Sequence, residues 1–337
     1  MNWPLALGAL ALLIAFRTDS SKSDEPSMPH ALLLVVNQGD QSLSIVDPGP
    51  GQQVGKIKTR GIRGHEVIAS PDGRLAYVPI YGDSGVGQSG SSGQTVEVID
   101  LATQKIVNTI DLGRPVRPHC AKFAPDGLLY VTAELDNAVD IIDPLSQKRV
   151  ASIATERPEA HMLAITKDGK RAYTSNVGSG TVTVLDLVHR KPVTVISVAD
   201  VAQRISLSTD DRWVFTADQK KPRLAVIDTK SNAVSSWISL PSIGYGTAPT
   251  PDGRWLLVTM PSASQVAVID LEQMKVIRTL PVGARPVEIL LRPDQPIAYI
   301  SCMGAGEVGV VDLSKWEVSK VIKTAPGADG LAWALRK

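Results

Sequence analysis

Three of the chain's five histidines recur at one offset from one kind of turn. His65, His119 and His161 stand six residues before Pro71-Asp72-Gly73, Pro125-Asp126-Gly127 and Lys167-Asp168-Gly169. Neutral imidazole ligates divalent metals and acts as a general base near neutral pH, so three at one structural position could do either chemistry. The same count from later turns reaches Gln203, Tyr245 and Val287, and the last segment aligns Asp329 with them. Glu66, Arg117, Glu159, Arg204 and Glu288 lie within two residues of these places. His65, His119 and His161 are therefore candidate ligands for a divalent metal. With Arg204 and Glu288 they are also candidate catalytic groups, a base beside a cation able to stabilise an oxyanion. The structural alternative is that duplication copies one residue type into one repeat position, where imidazole suits a wet channel lip. His30 and His189 fall in a polar leader and a turn, where water solvates them.

What must position these residues is a repeat. A pair of apolar residues followed by Asp ends at Asp47, Asp100, Asp143, Asp186, Asp228, Asp270 and Asp312, with steps of 53, 43, 43, 42, 42 and 42. The Pro-Asp-Gly-like turns keep the same period. Within one copy, His161 to Thr166 reads as a short apolar strand, Arg171 to Asn176 as a second, and Thr181 to Leu187 alternates Thr and Val as a third. Pro192 to Ser197 supplies a fourth. Named A to D, such four-stranded meanders repeated every 42 or so residues predict an all-β fold, a seven-bladed β-propeller of antiparallel blades. The first copy has only strands B, C and D (Leu32–Asn37, Ser42–Asp47, Gln53–Thr59), and Asp329 to Ala334 reads as an unpaired strand A. Pairing the two closes the ring.

The second strands Tyr130-Val131-Thr132-Ala133, Tyr173-Thr174-Ser175-Asn176 and Tyr299-Ile300-Ser301-Cys302, with the Pro-Asp-Gly turns and Val-Ile-Asp ends, resemble the YVTN-type β-propeller repeat over residues 32–337. That resemblance implies the propeller fold. It includes surface-layer proteins and lactonase-like enzymes, so it fixes no single activity. In the lactonase and muconate-cyclising propellers, channel-mouth His, Arg and Glu side chains handle a carboxylated lactone or its precursor. The positions that resemble theirs here are His65, His119, His161, Arg204 and Glu288. Some relatives dock a redox cofactor, but no ligand motif for one is present.

A meander puts the D–A and B–C loops at one end of the channel, the top, and the Asp turns at the other. The expected top-face ligand-binding set is His65, Glu66, Tyr81, Arg117, His119, Glu134, His161, Arg204, Tyr245, Glu288 and Asp329, with Asp136, Asn137, Asn176 and Asp218 nearby. The surplus in the first step falls in 82–93 (GDSGVGQSGSSG), a Gly/Ser-rich B–C loop beside His65 and His119. It is either a flap over a ligand or a tolerated surface insertion. The seven repeat Asp residues sit at bottom turns, where their side chains hold backbone N–H groups.

The ends and composition narrow the classes. Residues 5–16 form an uncharged apolar run of signal-peptide length, followed by a polar leader, 17–31. They predict an exported chain, periplasmic or secreted, with no integral membrane span once mature. The 35 basic and 34 acidic residues leave a net charge of +1, which excludes a large footprint for nucleic acid. Cys120 and Cys302 fall on distant blades and read as buried free thiols. No Walker-type loop, dinucleotide fingerprint, Cys-x-x-Cys-His haem site or Gly-x-Ser-x-Gly elbow occurs. The expected function is a monomer that binds a small molecule, a metal or a protein partner at its top mouth. The alternative is a lactonase- or cyclase-like enzyme on the same residues.

Overall fold

The computed structural model describes Met1 and residues 31–335. The apolar run 5–16, nearly all of the leader and His30 lie outside them. Seven four-stranded antiparallel sheets follow one another around the ring. Blade 1 combines Ala328–Leu335, as strand A, with Ala31–Asn37, Ser42–Asp47 and Gln52–Lys58. Blade 2 runs through Ile68–Ala69, Leu75–Gly82, Ser92–Asp100 and Lys105–Asp111. Blade 3 takes Pro118–Phe123, Leu129–Ala133, Ala138–Asp143 and Lys148–Ala154. Blade 4 takes Ala160–Ile165, Arg171–Asn176, Thr181–Asp186 and Lys191–Ser197. Blades 5, 6 and 7 open at Ser206–Leu207, Thr247–Pro249 and Pro286–Leu291, and the last of them ends at Glu317–Lys323. Ring closure is as expected, with Leu33 opposite Trp333 and Ala31 opposite Leu335. Ala31 opens the first strand rather than ending the leader.

Each blade interface is a seam of β-branched and aliphatic side chains from two facing sheets. Tyr77, Tyr130, Tyr173, Phe215 and Tyr299 occupy one repeat position on the second strands, and all are fully buried. That is the physical content of the repeat's tyrosine: a flat side chain that fills the wedge between blades, its hydroxyl toward the bottom turn. Tyr130 Oη donates to Asp126 in such a turn at 2.9 Å. The repeat's asparagine has a different task. Asn37 Nδ2 donates to Ser44 Oγ at 2.9 Å, and Asn176 Nδ2 donates to Thr183 Oγ1 at 2.9 Å, each clamping its own B–C hairpin. The seven repeat Asp residues accept turn N–H groups as expected, for example Asp228 from Lys230 and Ser231 at 2.9 and 2.7 Å.

The innermost strands position the site, and they differ in one respect from the sequence reading. The mouth residue does not open strand A. In blades 3, 4 and 7 it lies one residue inside, at a register irregularity: Pro118 to Ala121, Ala160 to Met162 and Pro286 to Glu288. A bulge bends the strand and re-aims the side chain it carries, so His119 and His161 turn in at the mouth of the channel. In blades 2, 5 and 6, His65, Gln203 and Tyr245 precede regular pairing altogether.

Candidate functional site at the channel mouth

The D–A and B–C loops meet at one end through backbone hydrogen bonds, such as Arg117 N to Gly93 O and Val177 N to Glu159 O. This brings the expected residues together. The His119 and His161 rings stack, with centroids 3.7 Å apart and an interplanar angle of 34°. His65 lies 5.1 Å from His119 and 4.8 Å from Tyr81 by ring centroids. His119 and His161 are buried, and His65 keeps 18% of its side chain exposed.

Glu134 organises one side. It follows the second strand of blade 3 in a single 3-10 turn closed by Asn137 in a left-handed conformation, φ 52°. Its carboxylate is fully buried. Oε1 accepts from Tyr81 Oη at 2.7 Å and has Arg117 Nη1 at 3.8 Å, while Oε2 lies 3.0 Å from His161 Nδ1. The Nδ1 proton of His161 therefore points to Glu134, leaving Nε2 as the basic nitrogen. Gln203 Nε2 approaches it at 3.3 Å.

Arg204 organises the other side. Its buried guanidinium lies 2.6 Å from Glu66 Oε1, though not aligned as a hydrogen bond, donates to Glu288, and donates to Asp329 at 3.1 Å. The ring of Tyr245 lies 5.2 Å from the guanidinium carbon. Gln38 Nε2 donates to Asp329 and to His65 Nδ1, the latter at 3.0 Å. Because His65 Nδ1 accepts, its ring proton is on Nε2.

Burial sets the ionisation here. It lowers His65 to about 3, and a proton on His161 or the charge of Arg204 lowers it further. It lowers His119 well below the ordinary value and lowers His161 as well, although Glu134 opposes it there. All three rings are neutral at pH 7. Burial raises Glu66 to about 8 against the attraction of Arg204, and raises Asp329 to about 6. Burial works against the charge of Arg204, and Glu66 and Glu288 outweigh it.

Several buried polar atoms at the mouth have no protein partner: His65 Nε2, His119 Nδ1 and Arg204 Nε. Buried donors and acceptors are almost always paired, so these are the atoms of the mouth with hydrogen-bonding capacity left over. Among the described residues no group of three or more His, Cys, Asp or Glu is arranged to hold a metal ion.

Not every nearby position joins. Asp136 pairs with Arg114, and Asp218 holds Arg223 at 2.9 Å. Asn137 accepts from the Glu159 backbone at 3.1 Å, and Asn176 is the hairpin clamp. His189 is exposed and paired with Asp186 at 2.8 Å. Cys120 and Cys302 are buried and unpaired with one another, as expected. Sequence reasoning missed Gln38, whose only signal is its place in the B–C loop of the closing blade. It also missed Lys122, three residues beyond His119 on the channel strand. Burial works against the charge of Lys122, and Cys120, Glu288 and Glu66 outweigh it.

A family model for YncE-like β-propellers matches residues 116–336. No curated protein matches the chain. Among solved structures, hydrazine synthase from Kuenenia stuttgartiensis is similar with a TM-score of 0.69 at 19% identity, covering 82% of this chain and 91% of that one. Dihydro-heme d1 dehydrogenase NirN, solved in complex with DHE, is similar with a TM-score of 0.63 at 20% identity, covering 90% of this chain and 66% of that one. At such identities the likeness is one of fold.

Proposed function

The chain belongs to the YncE-like β-propeller family, and from that premise we propose that it is an acid–base enzyme acting on a small carbonyl- or ester-bearing molecule at its channel mouth. The observation that carries this reading is the buried Glu134–His161 pair. A carboxylate bonded to Nδ1 fixes the tautomer, leaves Nε2 able to take a proton, and stabilises the imidazolium that forms. Opposite it, His65 Nε2–H and Arg204 Nε–H are donors without protein partners, suited to a carbonyl oxygen as negative charge develops on it. His161 would draw a proton from water as the water attacks the carbonyl carbon, and return it to the leaving oxygen.

The YVTN-type resemblance supports lactone opening or closing as the reaction class. The charges sharpen the substrate. Arg204 is already faced by Glu66, Glu288 and Asp329, which offset its charge, and Nε is its one nitrogen without a protein partner. A neutral lactone or ester fits that capacity better than a carboxylated one. The apolar run 5–16 supports export to the periplasm or beyond as the setting.

The test is turnover of a panel of neutral and carboxylated lactones by the purified chain and by its His161→Ala variant. Hydrolysis by the first and its loss in the second are expected. Equal background rates across the panel would reject the enzyme reading and leave a binding site.

A further inference from the structure

We propose that residues 83–91 are a lid that shuts the histidine array from solvent, and that Arg117 is the positioning residue joining lid closure to the Glu134–His161 pair. The inserted hairpin of blade 2 can fold only at glycines. A Cβ on Gly82 would sit 2.1 Å from Ser91 O, and one on Gly93 would sit 1.7 Å from Ile80 O. Gly82 adopts φ 119°, a region side chains avoid. Asp83 N donates to Ser91 O at 3.1 Å, and Ser91 N donates to Asp83 Oδ1 at 2.6 Å, so the neck of the loop is pinned and the tip is carried as a unit.

The tip lies across two neighbouring blades. Arg117 Nη2 donates to Gln88 O at 2.8 Å and Nε donates to Ser92 Oγ at 3.0 Å. Gly87 comes against blade 4, where a Cβ would meet Glu159 Oε1 at 3.3 Å. Arg117 holds this with left-handed backbone, φ 52°, and Glu159 likewise at φ 63°. Such backbone in a non-glycine residue is strained and persists where the surroundings fix it. The remaining Arg117 nitrogen faces Glu134 Oε1, and Tyr81, the residue before the Gly82 hinge, donates to the same oxygen. Both ends of the lid thus lead to the one carboxylate that orients His161. His161 is 1% and His119 2% exposed with the loop in this position, and the lid reading requires that its opening exposes them.

The lid concerns the site proposed above, but its readouts need no turnover. The experiment compares carbethoxylation of individual histidines by diethyl pyrocarbonate, followed by peptide mass mapping, in three full-length proteins. These are the wild type, Arg117→Lys, and a variant with residues 84–90 replaced by two glycines. Exposed His189 is the internal reference. Arg117→Lys keeps a cation beside Glu134 but cannot make both bonds to the loop. Both variants are expected to modify His119 and His161 at least about tenfold faster than the wild type, as loss of a closed state requires. A change below about twofold in both, with the folded spectrum retained, overturns the lid. The positioning role is read separately by imidazole 15N NMR: Arg117→Ala should weaken the His161 Nδ1–H signal that Arg117→Lys preserves, and an unaltered signal in Arg117→Ala overturns that role. If the wild type turns over no lactone while these shifts occur, the enzyme reading fails and the lid stands.

Discussion

Glu134 Oε2 lies 3.0 Å from His161 Nδ1, and neither residue exposes more than 1% of its surface. A buried carboxylate with one oxygen on an imidazole and the other on Tyr81 holds that ring in one tautomer. Glu134→Gln keeps the shape but lets the amide donate, which favours the tautomer with Nδ1 unprotonated. Turnover of any accepted lactone is expected to fall by a factor on the order of 10² to 10⁴, chiefly in kcat. Imidazole 15N NMR should show the proton moved to Nε2. A variant with unchanged tautomer and kcat would remove Glu134 from the mechanism.

Closure of the ring rests on the last strand. Trp333 packs edge-on against Tyr299 with centroids 5.0 Å apart, and its Nε1 donates to Leu291 O at 2.9 Å. Trp333→Ala should cost ~3 kcal/mol, the low end for truncating a large aromatic, because the ring is only partly buried. Urea unfolding checks it. A midpoint within error of the wild type would show that strand A of blade 1 closes the ring without this side chain.

The blades were legible in the sequence because every copy solves the same packing problem with the same residues. Tyr77, Tyr130, Tyr173 and Tyr299 mark the wedge between sheets, and the repeat Asp residues mark the bottom turns. The mouth was legible only as a list. His65, His119 and His161 share an offset, but stacking of two of them, and the tie of the third to Gln38 and Asp329, depend on bulges and loop lengths that no periodicity encodes. Glu134 showed its position but not its role, since the partner that defines it, His161, comes from the next blade. Asn176 illustrates the converse. A top-face asparagine is readable as a ligand contact, yet its Nδ2 is spent on Thr181 and Thr183 of its own hairpin.

Arg204 is a buried cation facing three carboxylates. Arg204→Met should destabilise the fold by about 3–5 kcal/mol near neutral pH, because it strands buried negative charge. Adding Glu66→Gln, Glu288→Gln and Asp329→Asn should recover most of that loss. Thermal and urea unfolding of the two variants decide it. If the single change is neutral, the mouth is wetter than its burial implies.

His65 titrates near 3 in the folded chain against an ordinary value of 6.5. Between those values the unfolded chain holds a proton that the native state refuses, so the contribution of His65 to stability is full above 6.5 and is lost as pH falls toward 3. His65→Gln should flatten the decline in urea midpoint between pH 6.5 and 4. Parallel curves for variant and wild type would show His65 protonated in the native state.

Glu66 works in the opposite direction. Burial lifts its folded value to about 8 from an ordinary 4.5, with Glu288 and Asp329 adding to the rise and Arg204 opposing it. From 4.5 to 8 the native state keeps a proton that the unfolded chain has released, so stability falls as pH rises through this window and levels off above it. Glu66→Gln carries no such proton. Its stability relative to the wild type should therefore climb steadily from pH 5 to pH 8 and then stay constant, measured as the difference in urea midpoint at each pH. A difference that does not vary with pH would mean that Glu66 is ionised beside Arg204 throughout. The mouth would then carry one more negative charge, which would disfavour a carboxylated substrate further.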